Sequence, residues 1–228
     1  MITIKDLIVS YNKKDKVIDC LNIAFAHNTI HGIVGMNGAG KTSLLNAIYG
    51  LIKVQSGEIK CDDLKINKKK ISFLATENFY YSNITGNEYL SLFKNMQFET
   101  NKWNELFMLQ LDKIIDSYST GMKKKLALFG ILKQDKSIMI LDEPFNELDI
   151  ETCRIIRSIL LRLKERKKTI IITSHIIETL TNLCDYIHYL EKGKFKYSRD
   201  KSEFKEFEHD IFNSIENKNK KLISELIE

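Results

Sequence analysis

Proline is nearly missing: Pro144 is the only one in 228 residues, which excludes a collagen-like or proline-rich chain. Cysteines are few and scattered. Cys20, Cys61, Cys153 and Cys184 form no Cys-x-x-Cys pair, so neither a zinc knuckle nor a redox motif is signalled, and dispersed thiols suit a reducing cytosol. Long apolar runs are absent as well. The longest, Leu126 to Leu132, falls far short of the roughly 20 residues that span a bilayer. The opening Met1-Ile-Thr-Ile-Lys-Asp lacks the basic and then apolar segments of a secretory leader. The chain is therefore expected not to cross a membrane, while remaining able to dock on a protein that does. Charge of one sign is not in large excess: a net +5 is too weak to imply nucleic acid by itself. No internal repeat is visible.

What is present fits a globular domain. The chain is 43% hydrophobic and 29% charged, outside the range of disordered sequences and long enough to bury a core without disulfides. Short apolar runs at Thr3–Val9, Val17–Ala26, Ile30–Val34, Glu58–Lys60, Ile71–Leu74, Ser137–Leu141 and Thr169–Thr173 predict strands. Helices are predicted at Ser43–Leu51, closed by Gly50, and at Thr120–Lys133, Glu151–Glu165 and Ile176–Cys184. Glu151–Glu165 places Ile155, Ile159 and Leu163 on one face. Ile187–Leu190 and Lys194–Tyr197 predict a hairpin around Gly193. Helices alternating with buried strands imply a mainly parallel sheet. Between residues 79 and 118 the pattern changes to short helices, an insertion in an α/β body. Residues 200–228 read as a small helical tail carrying Phe204, Phe207, Ile211, Phe212, Ile215 and Leu222.

The most specific signal is Gly35-Met36-Asn37-Gly38-Ala39-Gly40-Lys41-Thr42. It fits G-x-x-x-x-G-K-[ST] and lies between a predicted strand and a predicted helix, the context a phosphate loop requires. Glycines let successive N–H groups turn toward phosphate oxygens, and the following helix adds its positive end. Lys41 is expected to reach the β- and γ-phosphates of ATP and Thr42 to hold Mg²⁺, with Ser43 near the α-phosphate. The partner element is Ser137-Ile-Met-Ile-Leu-Asp142-Glu143-Pro144. Its strand delivers Asp142 at the carboxyl end of the sheet, where open α/β sheets bind ligands. Asp142 is expected to bind Mg²⁺, and Glu143 to orient and deprotonate water.

Further landmarks, in order, resemble the nucleotide-binding domain of ATP-binding cassette (ABC) transporters and cover the chain to about residue 197. Tyr11 stands where the family places a ring on adenine. Tyr118-Ser119-Thr120-Gly121-Met122-Lys123 resembles the signature loop Leu-Ser-Gly-Gly-Gln, with Ser119 and Gly121 matching and Tyr118, Thr120 and Met122 departing. Asn146-Glu147-Leu148-Asp149 resembles the loop whose Asp contacts the opposite subunit, with Glu147 in place of the usual glycine. Thr173-Ser174-His175 places His175 at the switch-histidine position. The family's Gln after a strand such as Ile71–Leu74 is missing. Thr76 takes its place with Glu77 adjacent, and either side chain remains a candidate. Of Lys123–Lys125, at the start of a helix, the simplest reading is solvated side chains.

The resemblance implies a P-loop NTPase fold of the ABC type: a mainly parallel core, an N-terminal antiparallel part and a helical subdomain, over residues 1–199. It implies ATP hydrolysis with Mg²⁺, in which Lys41, Glu143 and His175 act catalytically. A second cassette, identical or not, would bury two ATP molecules head to tail, with Ser119, Gly121 and Asp149 facing the partner's nucleotide. It implies a separate transmembrane permease, received near Phe79–Phe107 by aromatics such as Phe79, Tyr80, Tyr81, Phe93 and Trp103, and a place on the cytoplasmic face of the cell membrane. The runs around Asn78–Leu90 and Tyr118–Lys125 look similar to exporter cassettes for antibiotics and antimicrobial peptides. Alternatives are a soluble ABC ATPase without a transport role, or a weakly active regulatory cassette. Only 78 positions separate Lys41 from Ser119, with no sustained heptads for the coiled coil of DNA-maintenance members. No nucleic-acid partner is expected.

Overall fold

The computed structural model describes residues 1–12, 15–207, 209–211, 224 and 226. Two sheets organise it. β1 (Ile2–Ser10), β2 (Lys16–Phe25), β4 (Ser56–Cys61) and β5 (Leu64–Lys65) make an antiparallel sheet in the order β2-β1-β4-β5. β3 (Ile30–Val34), β6 (Ile71–Leu74), β7 (Ile138–Leu141), β8 (Thr169–Ser174), β9 (Tyr186–Glu191) and β10 (Lys194–Asp200) make the second, in the order β10-β9-β3-β8-β7-β6. It is parallel except for the β9–β10 hairpin. The mainly parallel core, the antiparallel N-terminal part and the helical insertion are as the sequence predicts.

Alternation in β1 is weak for a structural reason. Asp6 has φ +49° and Cys20, on the paired strand, φ +50°. The register slips between Ile4 and Leu7, so the buried set runs Ile2, Ile4, Leu7, Val9. Such an irregularity adds a residue and restores the apolar face beyond it. Glu58–Lys60 and Ile71–Leu74, read as strands joined by a lysine-rich turn, belong to different sheets. β5 and a 3₁₀ turn at Lys68–Lys70 lie between them.

The central strands are apolar throughout because both faces are covered. In β7, Ile138 and Ile140 face the core shared with α1 (Lys41–Tyr49) and the antiparallel sheet. Met139 and Leu141 face the core shared with α4 (Thr120–Gln134) and α5 (Ile150–Glu165). In β8, Ile171 goes to the first core, and Ile170 and Ile172 to the second. Each such side chain contributes about 1.5–3 kcal/mol on burial. The most buried line of α5 is Thr152, Ile156 and Leu160. Ile159 and Leu163, two of the three apolar residues expected to line that face, are only partly buried beside it.

The insertion holds α2 (Gly86–Ser91), α3 (Thr100–Phe107) and a 3₁₀ turn at Ile115–Ser117. Thr85 and Glu88 close a capping box at α2. Phe107 stacks on Phe129 of α4, with ring centroids 5.0 Å apart, and so ties the insertion to the body. Tyr80, Tyr89 and Trp103 pack partly on this core, whereas Phe79 and Tyr81 are exposed. α6 (Ile177–Thr181) is shorter than the predicted Ile176–Cys184. Residues 204–207 and 209–211 are helical and bury Phe204, Phe207 and Ile211 in the main core. Phe212, Ile215 and Leu222, assigned to the same tail, lie outside the described residues. Among the described residues no helix is long and apolar enough to cross a membrane.

Register brings the functional loops together. Val34 pairs with Ser174, Leu74 with Leu141, and Leu141 with Ile172. The loops after β3, β6, β7 and β8 therefore leave one edge of the sheet side by side, as the parallel arrangement requires.

Two histidines to which the sequence assigns no role lie in the core. A chain of hydrogen bonds joins Thr29 Oγ1 to His31 Nε2 (2.8 Å), His31 Nδ1 to His188 Nε2 (3.1 Å) and His188 Nδ1 to Ser198 Oγ (2.9 Å). Burial lowers His31 to about 4 and His188 to about 3. In the unfolded chain both take up protons near pH 6.5. Their contribution to stability is thus complete above that pH and declines as pH falls toward the folded values. Urea unfolding is expected to show a loss of about 2 kcal/mol per histidine between pH 7.5 and pH 5. A flat stability profile over that interval contradicts a neutral buried pair.

Candidate nucleotide site

The loop after β3 is shaped by its glycines. A Cβ on Gly35 would stand 2.4 Å from the carbonyl oxygen of Leu190. Gly38 and Gly40 take φ +80° and +106°, the region open to glycine at little cost. The turn of the β9–β10 hairpin braces the loop through Gly193, whose N–H donates to the Ala39 carbonyl at 3.1 Å. Gly40 is the N-cap of α1 and supplies no side-chain cap, so the first amides of the helix remain available to an anion. Lys41 curls back over the loop. Its Nζ donates to the carbonyls of Gly35 (2.7 Å) and Met36 (3.4 Å) and lies 3.6 Å from Glu143 Oε1.

Opposite the loop stands Asp142, fully buried at the end of β7. Three threonine hydroxyls donate to its carboxylate. Thr42 and Thr76 share Oδ2 at 2.8 and 2.7 Å, and Thr173 holds Oδ1 at 2.5 Å. Thr173 Oγ1 also accepts the N–H of Glu143 at 2.9 Å. Glu143 follows with φ +47°, a left-handed conformation that costs a non-glycine residue about 1–2 kcal/mol. That turn aims its carboxylate between Lys41 and His175, whose Nδ1 is 3.1 Å from Glu143 Oε2. Strain of this kind persists where surrounding contacts over-determine it.

Lys41, Thr42, Thr76, Glu143 and His175 line one cleft of about 340 Å³, together with Val17, Asn37, Gly38, Ala39, Gly40, Ser43 and Asn146, and Asp142 and Thr173 lie buried behind it. Thr76 is in it, while Glu77 is exposed and does not line it. The hydroxyls of Thr42 and Thr76 with the Asp142 carboxylate form an all-oxygen donor set, the chemistry a small hard cation prefers.

Other predicted residues stand apart. Tyr11 is 65% exposed and does not line the cleft. Its hydroxyl shares a 3.0 Å hydrogen bond with that of Ser43. Met36 is exposed on the rim. Ser119 is the N-cap of α4, accepting the Met122 N–H at 3.3 Å. A Cβ on Gly121 would stand 2.9 Å from the Glu147 carbonyl, so this glycine is required by the close approach of the first turn of α4 to the Glu147 loop. Glu147 itself has φ +67°, the conformation that explains why glycine is usual there. Asp149 caps α5, accepting from the N–H and hydroxyl of Thr152, each at 2.7 Å. Lys125 pairs with it at 3.3 Å, and these donors hold the Asp149 carboxyl well below the usual range. Ser119, Gly121 and Asp149 are absent from the cleft formed by Lys41.

Two residues escaped the sequence reading. Thr173 carries no role in the sequence beyond ending a strand before Ser174 and His175, and only the structure shows it bridging Asp142 and the Glu143 amide. Lys124, expected with its neighbours to be solvated, is instead buried. It falls on the same helical face as Leu128 and Ile131, which are buried with it. Replacement Thr173→Val keeps the volume but leaves Asp142 Oδ1 and the Glu143 amide without their partner. The expected loss of stability is about 1–3 kcal/mol, read from urea midpoints. An unchanged midpoint contradicts the assigned hydrogen bonds.

Comparison with known proteins agrees with this geometry. The family model described as ABC transporter matches residues 18–146. The ABC transporter ATP-binding protein YybJ of Bacillus subtilis (strain 168) is 33% identical over 199 residues, covering 82% of this chain and 91% of the relative. The bacitracin transport ATP-binding protein BcrA of Bacillus licheniformis is 35% identical over 208 residues, covering 83% of this chain and 66% of the relative. Among solved structures, the dimeric form of the bacterial ABC transporter cassette MJ0796 superposes with a TM-score of 0.80 at 21% identity. It covers 88% of this chain and 99% of that one, and this likeness establishes the fold. With the phosphate loop, the Asp142–Glu143 strand end and this sequence similarity in place, the chain belongs to the ABC transporter family, as an ATP-binding cassette and ATPase.

Proposed function

We propose that this chain is the ATP-hydrolysing subunit of an exporter, pairing with a second cassette around two Mg²⁺-ATP molecules and driving a separate membrane permease. The observation that carries the reading is the convergence of Lys41, Thr42, Glu143 and His175 on one cleft that Ser119 and Gly121 do not line, with buried Asp142 joined to it through the Thr42 and Thr76 hydroxyls. A half-site exposed on the same chain is what a head-to-tail partner would complete.

In this reading the amides of residues 37–42 cradle phosphate oxygens, and Lys41 exchanges its carbonyl partners for the β- and γ-phosphates. Bound Mg²⁺ neutralises charge on those phosphates. Thr42 and Asp142 hold it, with Thr76 beside them in the position the family gives to Gln. Glu143 orients the attacking water and accepts its proton. His175 holds the Glu143 carboxylate and the γ-phosphate in register. Tyr11 meets the adenine at the open end beyond Ser43. Ser119, Gly121 and Asp149 act on the nucleotide of the partner cassette.

The aromatic pair Phe79 and Tyr81 supports a docking place for the permease on the cytoplasmic face of the membrane. The rings meet edge to face at 5.4 Å and are both exposed beside the insertion, an arrangement unusual for side chains with no covering partner. Export of an antibiotic, a peptide or a similar compound is supported by the likeness to a bacitracin transport protein and by the Tyr-Ser-Thr-Gly-Met-Lys-Lys-Lys signature.

Substitution Glu143→Gln is expected to lower ATP hydrolysis about 10²–10⁴-fold, the range for loss of a general base, while retaining nucleotide binding. Light scattering with saturating Mg²⁺-ATP is expected to show a dimer, and a persistent monomer excludes the homodimer in favour of two different cassettes. Tagged Glu143→Gln protein drawn from gently solubilised membranes is expected to bring down a polytopic protein in stoichiometric amount. Phe79→Ala with Tyr81→Ala is expected to weaken that recovery at least tenfold. Recovery of only soluble proteins or nucleic acid overturns the transport reading in favour of a soluble ATPase.

A further inference from the structure

The three lysines that open α4 have three different fates. Lys123 is half-buried, and its carbonyl accepts the Tyr80 hydroxyl at 2.5 Å. Lys125 pairs with Asp149. Lys124 is 4% exposed, with Nζ 3.3 Å from the Thr76 carbonyl and 3.5 Å from that of Ala75. An ammonium in that place is doubly disfavoured, by burial and by the positive end of the helix. Burial lowers Lys124 from its ordinary range, and the carboxylates of Asp142, Glu147 and Glu143 act against that shift. A methionine or leucine would fill the same space without either penalty, so packing alone does not account for a lysine.

What the lysine does provide is a grip on the loop after β6. That loop is held to the first turn of α4 at two points, by Lys124 on residues 75 and 76 and by Tyr80 on Lys123. Burial raises the Tyr80 hydroxyl far above its ordinary range, so it stays a donor at any working pH. From the other side of the same residue, Thr76 Oγ1 donates to Asp142 Oδ2, which also takes the Thr42 hydroxyl. One residue thus links the helix behind Ser119 to the carboxylate at the phosphate site.

We propose that Lys124 is a positioning residue for ATP hydrolysis: it holds the Thr76 backbone so that the Thr76 hydroxyl stays on Asp142, and makes the loop after β6 move with the Ser119 end of α4. The inference rests on the reading of Asp142 and Thr76 as part of the Mg²⁺-nucleotide site. Its consequence is that a partner nucleotide touching Ser119 and a permease pressing on residues 79–81 act on one connected body, with Asp142 at its end. Thr76, which lacks the reach of the Gln it replaces, keeps its place through this backbone hold.

The test is a double-substitution cycle on the full chain. Lys124→Met matches length and removes the donor, and Thr76→Val removes the hydroxyl while keeping the shape. Lys124→Met is expected to lower kcat about tenfold or more, the scale of a lost charge-assisted hydrogen bond, with the KM for ATP changed less than threefold. Thr76→Val is expected to lower kcat similarly. The double variant is expected to be about as slow as the slower single one, because both remove the same link. Lys124→Arg, which restores a donor, is expected to recover most of the rate. Melting temperatures taken alongside separate this from a purely structural role, since Met in a buried site is expected to leave Tm unchanged or raise it. Multiplicative losses in the double variant, a Lys124→Met kcat within twofold of the parent, or a kcat loss that follows a falling Tm each overturn the proposal. A parent chain without ATPase activity that Glu143→Gln abolishes overturns the site reading instead, before the cycle is run.

Discussion

The Asp142 carboxylate is the point on which the rest of the site depends. It is removed from solvent at the end of a wholly apolar strand, a position where an unsatisfied charge costs several kcal/mol. Hydroxyls from three separate segments meet that demand: Thr42 at the start of α1, Thr76 after β6 and Thr173 near the end of β8. Because each segment supplies one donor to the same group, the carboxylate fixes the distances among them. Thr173 passes the constraint on to the Glu143 amide, so that the strained backbone at Glu143 is set by the same contact.

The parallel sheet makes this convergence possible. Strands β3, β6, β7 and β8 end in register, so side chains far apart in sequence leave a common edge. Ser119, Gly121 and Asp149 are placed on a different principle. They lie at the starts of α4 and α5 and do not line the Lys41 cleft. Gly121 against the Glu147 carbonyl and the left-handed Glu147 backbone show that the first turn of α4 and the Glu147 loop are shaped against each other. Glutamate holds that left-handed backbone at a cost in strain that glycine would not bear.

Charge on the α4 helix illustrates how burial sorts identical residues. Three consecutive lysines rotate through about 100° per step on a helix, so Lys124 faces the core while Lys125 reaches Asp149 and Lys123 is half-buried. The core-facing lysine finds carbonyls and carboxylates rather than water. A linear reading treats such a run as one solvated feature. The helical period alone selects Lys124, provided the direction of the core is known.

The chain itself determined the phosphate loop, the Asp142–Glu143 strand end and the alternation of strands and helices. Each depends on local chemistry: glycine freedom, a helix start, and apolar runs that must be covered on both faces. Ser119 and Asp149, residue types that favour helix N-caps, take that place in the structure. Tertiary structure alone decided what touches what. It brought the Thr76 hydroxyl to Asp142 and into the cleft, which Glu77 does not line. It took Tyr11 off the cleft wall and onto Ser43, gave Thr173 two partners, and buried His31 and His188 as a neutral pair. Contacts among residues distant in sequence are set by strand order and register, and neither is written in the local pattern of any one segment.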